Sequence, residues 1–148
     1  MKLVPLVLAI SAAAVLAGTG EAAAVSGPSC SLASPKLVKS ALGITVKAPI
    51  VTRNGPVTVC LFTSTPSLLV RFETNETAAM FAAGRKGFSQ HGEPTKTVNG
   101  LGTEAYSSSM GSRSNTIVVL KGTVELLITG AEPLTKQEAL AKLLLPSL

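Results

Sequence analysis

The sequence predicts an α+β fold, a single domain in which about three helices pack on an antiparallel sheet tied by one disulfide. Three observations carry this expectation. Helical and strand periodicities succeed one another in the order helix, strands, helix, strands, helix, rather than in strict βαβ alternation. Short polar turns of the hairpin type join the strand runs. The two cysteines, Cys30 and Cys60, are an even count that pairs readily in an oxidising compartment.

The first helix is marked at both ends. Ser34-Pro35 offers an N-cap and a proline at the first helical position, Leu37, Val38, Ala41 and Leu42 share one face, and Gly43 stands at the C-cap. Ile44 to Thr52 is extended and broken by Pro49, and Asn54-Gly55-Pro56 marks a turn. Val57, Val59 and Leu61 alternate with Thr58, Cys60 and Phe62, so this strand has both faces partly apolar. A polar turn over 63–67 leads into Leu68 to Glu73, which completes a hairpin. Asn75 is the expected cap of a second helix, with Glu76 suited to its dipole; Phe81, Gly84 and Phe88 share a face, Arg85 and Lys86 fall in the last turn, and Gly87 helps to end it. Short strands over Thr95 to Val98 and Glu104 to Ser108 flank Asn99-Gly100-Leu101-Gly102, and a hairpin over 116–129 turns at Gly122. Thr135 with Glu138 forms a capping box for a last helix that buries Leu140, Leu143 and Leu144 and stops at Pro146.

Residues 1–24 read as a cleavable export signal. Lys2 supplies the positive start, Leu3 to Ala17 is apolar, and Ala22-Ala23-Ala24 is the small-residue cleavage pattern. The apolar stretch falls short of the roughly twenty residues that span a bilayer, so no transmembrane span is expected. Leu16-Ala17-Gly18 begins like a lipobox, but Thr19 stands where a lipoprotein needs Cys. Cleavage leaves 25–33 as a flexible leader and 34–148 as one domain in a secreted, extracytoplasmic protein. In that compartment Cys30 and Cys60 are expected to be bridged.

Composition removes several chemistries. The chain has no Asp and a single His, His91, so neither a Ser-His-Asp triad nor a multi-histidine metal site can be assembled. The Glu residues are scattered and expected mostly at helix starts or on exposed strand faces. No catalytic residue, metal or cofactor is assigned; the residual catalytic reading is a hydrolase that uses His91. The net charge of +5 favours an anionic surface without arguing for nucleic acid. Arg85, Lys86, His91 and Lys96 are the candidate patch for an anionic partner. Gly100-Leu101-Gly102-Thr103-Glu104-Ala105 fits the dinucleotide fingerprint, but the next residues, Tyr106-Ser107-Ser108-Ser109, read as strand or loop and not as an opening helix. Gly84-Arg85-Lys86-Gly87 matches an RNA-clamping loop in the wrong compartment. With one Tyr, four Phe and no Trp, stacking platforms for sugars or single strands lose support. Tyr106 is expected at the sheet edge with its hydroxyl wet.

Cys30-Ser31-Leu32, Leu42-Gly43, Cys60 in a strand, the segment Gly100-Leu101-Gly102-Thr103-Glu104-Ala105-Tyr106, a hairpin from Ile117 to Ile128 and a helix from Thr135 to Leu145 together form a pattern. It resembles small actinobacterial-type secreted proteins and lipoproteins of unknown function, the DUF3558-like families. The resemblance marks Gly100, Gly102, Ala105 and Tyr106 as a family-like segment. It implies a disulfide-tied α+β fold and an envelope location, and no reaction. Two departures are the missing lipobox Cys and Thr103 where an acidic residue is frequent. The functional expectation is an exported, non-catalytic binding or accessory protein of the bacterial envelope, its partner a protein or an anionic envelope component. The alternative is a secreted inhibitor of an extracellular enzyme, with Ser109-Met110-Gly111 as its candidate loop tip.

Overall fold

A computed structural model describes residues 27–111 and 113–148. The expected export signal over 1–24 lies outside the described residues, among which no helix is long and apolar enough to cross a membrane.

The chain runs α1 (Pro35–Leu42), β1 (Ile50–Asn54), β2 (Val57–Phe62), β3 (Leu68–Thr74), α2 (Ala78–Gln90), β4 (Thr95–Thr97), β5 (Glu104–Ser109), β6 (Asn115–Lys121), β7 (Val124–Gly130) and α3 (Leu134–Leu144), with a closing 3-10 turn at Leu145–Ser147. The strands form one seven-stranded sheet in the order β1-β2-β3-β7-β6-β5-β4, and every neighbouring pair is antiparallel. Two meanders, β1–β3 and β4–β7, are thus joined where β7 pairs with β3. The expected α+β, antiparallel, single-domain fold is what forms.

The two sheet faces differ. One, the core face, carries Cys60, Val70, Phe72, Leu126, Ile128 and Ile117 and is covered by α1 and α3. Ser34 caps α1 through its Oγ, which accepts from the Leu37 N–H at 3.3 Å, and Gly43, at φ 75°, ends it. Val38 and Leu42, one helical turn apart, are fully buried, each contributing about 1.5–3 kcal/mol. Lys136 of α3 donates to the carbonyl of Leu42 at 2.7 Å, joining the two helices.

The Cys30–Cys60 disulfide is present, with its Cα atoms 5.6 Å apart and a sequence separation of 30; a loop of that size stabilises by roughly 3–4 kcal/mol in the chain-entropy account. The bridge ties residues 27–33 to the sheet. Cys30 and Ala33 are buried in the core, held there because Cys60 points to the core face.

Several local expectations are corrected. Asn75 does not cap α2: it takes the left-handed conformation, φ 66°, that Asn tolerates, and Thr77 caps instead, its Oγ1 accepting from the Met80 N–H at 3.2 Å. Gly87 does not end α2, which continues to Gln90, so Arg85 and Lys86 are not in its last turn. The capping box at Thr135 does not form, because α3 begins two residues earlier than a Thr135 cap would start it, with Pro133 at the N-cap and no side-chain cap. Leu143 is 48 % exposed, and the buried stripe of α3 is Gln137, Leu140, Ala141 and Leu144.

The position of α2 follows from topology. It must carry the chain from β3, in the middle of the sheet, to β4 at the far edge, so it crosses the second face above β5 and β6. Phe81 meets Tyr106, Val118 and Leu120 there, in a small second core.

Candidate functional site

Of the predicted anionic-partner patch, only part comes together. Arg85 is half-buried: its Nε and Nη2 donate to the hydroxyls of Thr95 and Thr97 at 3.2 and 3.0 Å, and its guanidinium stacks 5.7 Å from the Tyr106 ring centre. Lys86 is exposed. His91 is exposed at the C-terminal end of α2, its backbone N–H bonded to Gly87 and Phe88 carbonyls, and it shares a shallow hollow with Gly84, Phe88 and Glu93. Lys96 does not join them. It pairs with Ser107, while Thr95 and Thr97 face α2, so strand alternation sends Lys96 to the opposite face beside Leu134 of α3.

The 100–106 segment is structural. Gly102, at φ 57°, lies so close to β6 that any Cβ would collide with the backbone carbonyl of Leu120, and the Thr103 N–H donates to that carbonyl at 2.7 Å. Gly100 is an exposed turn residue, Ala105 is buried on the core face, and the segment opens strand β5 rather than a helix. Tyr106 is not wet at an edge but 1 % exposed, with the rings of Phe81 and Phe88 at 5.1 and 5.7 Å. Burial holds its phenol pKa well above the ordinary value.

A charged cluster went unforeseen. Glu73 of β3 and Glu125 of β7 are directly opposed on the α2 face. Arg71, two residues before Glu73, reaches both: its Nη2 is 3.5 Å from Glu73 Oε2 and in hydrogen-bond contact with Glu125 Oε1. Glu76 lies beside them, buried by the turn in which its N–H donates to the Thr123 carbonyl at 2.9 Å. Glu76, expected at a helix start, and Glu125, one of the scattered Glu residues expected mostly at helix starts or on exposed strand faces, are both buried. Desolvation raises the pKa of each carboxyl; for Glu76 the charges of Glu125 and Glu73 add to it, and for Glu125 the Arg71 guanidinium opposes it. The sequence signal was Glu125 between Val124 and Leu126, an acid inside an apolar strand. Among the described residues no three His, Cys, Asp or Glu side chains are grouped to hold a metal ion.

On the same face, no helix among the described residues covers β1, β2 and β3. Val57, Val59, Leu61 and Leu69 are only half-buried, and Ile50 is 58 % exposed. A groove of about 290 Å³ lies at the end of this surface, walled by Leu61, Leu69, Thr129, Pro66 and Arg113. The alternation of β2, with apolar residues on both faces, is its trace in the sequence. The result is an apolar floor with a charged border at Arg71, Glu73 and Glu125. No protein-family model, curated protein or solved structure matches the chain.

Proposed function

We propose that the chain is an exported, non-catalytic binding or accessory module of the bacterial envelope that takes its partner on the sheet face left open by α2. The observation that carries the reading is the half-buried row Val57, Val59, Leu61 and Leu69, over which no element packs among the described residues. A contiguous apolar surface of this kind costs solubility unless something covers it. The disulfide is compatible with an extracytoplasmic location, and the resemblance to small secreted envelope proteins supports the same assignment.

The test is a capture experiment from the native envelope with the disulfide-bonded protein and two variants. Leu61→Lys should release the captured partner, and Met110→Lys should retain it. Capture unaffected by Leu61→Lys would remove the open face from the proposal. Export is tested separately by the N-terminus of the secreted protein, expected at Val25.

The second reading, a secreted inhibitor, is favoured by one observation. Met110 is 53 % exposed at the β5–β6 turn, with its N–H fixed to the Ser114 carbonyl at 2.8 Å. It predicts the reverse result, loss of the partner with Met110→Lys alone. A catalytic reading would need His91, and His91→Ala with unchanged activity would dispose of it.

A further inference from the structure

We propose that the free edge of β1 takes an extended segment of another protein whose side chains alternate acidic and apolar, adding an eighth strand to the sheet. This deepens the binding-module reading and rests on it. Three features of the edge carry the proposal.

The first is the backbone. Among the described residues the sheet ends on β1 at one side and β4 at the other. The β4 edge has three residues, and Arg85 is bonded to two of their side chains. β1 has five residues, all exposed, and among the described residues none makes a backbone hydrogen bond outside the ladder to β2. Alternate N–H and C=O groups along Ile50–Asn54 therefore point outward, the arrangement that strand addition uses.

The second is charge. Between residues 27 and 72 the charged residues are Lys36, Lys39, Lys47, Arg53 and Arg71, with no acid among them. Arg71 is neutralised by Glu73 and Glu125. The other four are exposed and, among the described residues, make no salt bridge. Lys47 precedes β1 and Arg53 lies within it, so the edge is cationic. A second copy of this chain, also at net +5, meets like charge there, whereas an acidic segment meets opposite charge.

The third is the facing of the side chains. Val51 pairs with Cys60 and Arg53 with Thr58, which places both on the core face; Ile50 pairs with Leu61 and Thr52 with Val59, which places both on the open face. An added strand continues both rows. Its residues beside Arg53 are best acidic, and those beside Ile50 best apolar, extending the uncovered floor. The alternation follows from the pleat.

The experiment measures binding of a capped peptide of alternating Glu and Val to the disulfide-bonded protein, read by amide shifts. Shifts should be largest over Ile50–Asn54. A peptide with the same composition in Glu-Glu-Val-Val blocks should bind more weakly. The alternating peptide N-methylated at every second residue, on the edge facing β1, should lose binding while keeping its charge. Lys47→Glu with Arg53→Glu should weaken the parent peptide about tenfold, and added salt should weaken it on the wild type. Equal binding of the N-methylated peptide would show that charge alone is recognised and would overturn the proposal. So would no binding of the alternating peptide, or shifts confined to Arg85, Lys86 and His91. The two proposals fail separately: if the peptide fails but Leu61→Lys still releases the envelope partner, the binding module stands and only the edge falls.

Discussion

Glu73 and Glu125 face each other across the β3–β7 ladder with the single guanidinium of Arg71 serving both. Opposed like charges on neighbouring strands are destabilising unless bridged, and here a third carboxylate, Glu76, is buried alongside. Burial of the Glu76 and Glu125 carboxyls, with neighbouring carboxylates adding to it and Arg71 opposing it, makes these two groups hold protons more tightly in the folded protein than in the unfolded chain.

That relationship has a pH signature. The carboxyls of Glu76 and Glu125 are raised from 4.5 in the folded state, so their ionisation costs stability as pH rises through the raised values, and the cost disappears as pH falls toward 4.5. Glu76→Gln should therefore stabilise the protein at pH 7, by about 0.5 kcal/mol, and the gain over wild type should vanish near pH 4.5. Thermal melts of both proteins across this range check it. A variant less stable than wild type at pH 7 would contradict the account.

The glycines of α2 and of the β4–β5 loop should respond in opposite directions. Gly84 is helical and exposed, and a Cβ there meets only Tyr106 Oη at an ordinary 3.7 Å. Gly84→Ala should stabilise by about 1 kcal/mol. Gly102→Ala should destabilise severely, because its φ is positive and its Cβ position is occupied by the Leu120 carbonyl. Denaturant unfolding of the two variants separates them.

Gln137 is fully buried in α3, and its Nε2 donates to the carbonyls of Asn115, Gly130 and Glu132 at 2.9, 3.2 and 3.2 Å. It fastens the helix start to the ends of β6 and β7. Gln137→Leu keeps much of the volume but removes the Nε2 donor from those carbonyls, that of Glu132 keeping Asn115 Nδ2 at 3.0 Å, and should cost about 1–3 kcal/mol. Hydrogen exchange should show the loss concentrated at the start of α3.

Capping offers a fourth check. Thr77→Ala should cost about 1 kcal/mol by removing the acceptor for the Met80 N–H. Thr135→Ala should change stability by no more than about 0.5 kcal/mol, since α3 has no side-chain cap. Comparable losses in both would restore the capping box that the geometry denies.

Much of the architecture was legible along the chain. Ser34, Pro35 and Gly43 delimit α1 as local capping rules require, and β2 and β3 fall where apolar alternation puts them, because these signals depend on neighbours in sequence. The cap of α2 was misplaced by two residues because Asn75 and Thr77 are both good caps, and only the bond from Glu76 to Thr123, far along the chain, decides between them. Leu143, expected on the buried face, is exposed, and Gln137 is buried instead: which stripe of α3 is buried depends on where the ends of β6 and β7 present their carbonyls.

The sequence by itself determined the fold class, the Cys30–Cys60 pairing and the strand alternation, all consequences of short-range periodicity, turn chemistry and an even cysteine count. It could not show that Lys96 leaves the basic patch, that Glu73, Glu76 and Glu125 converge on Arg71, or that, among the described residues, no helix covers half of one sheet face. Those depend on strand order. Joining β3 to β7 brings residues from distant parts of the chain into one ladder, and carrying α2 out to β4 leaves β1, β2 and β3 without a helix over them among the described residues.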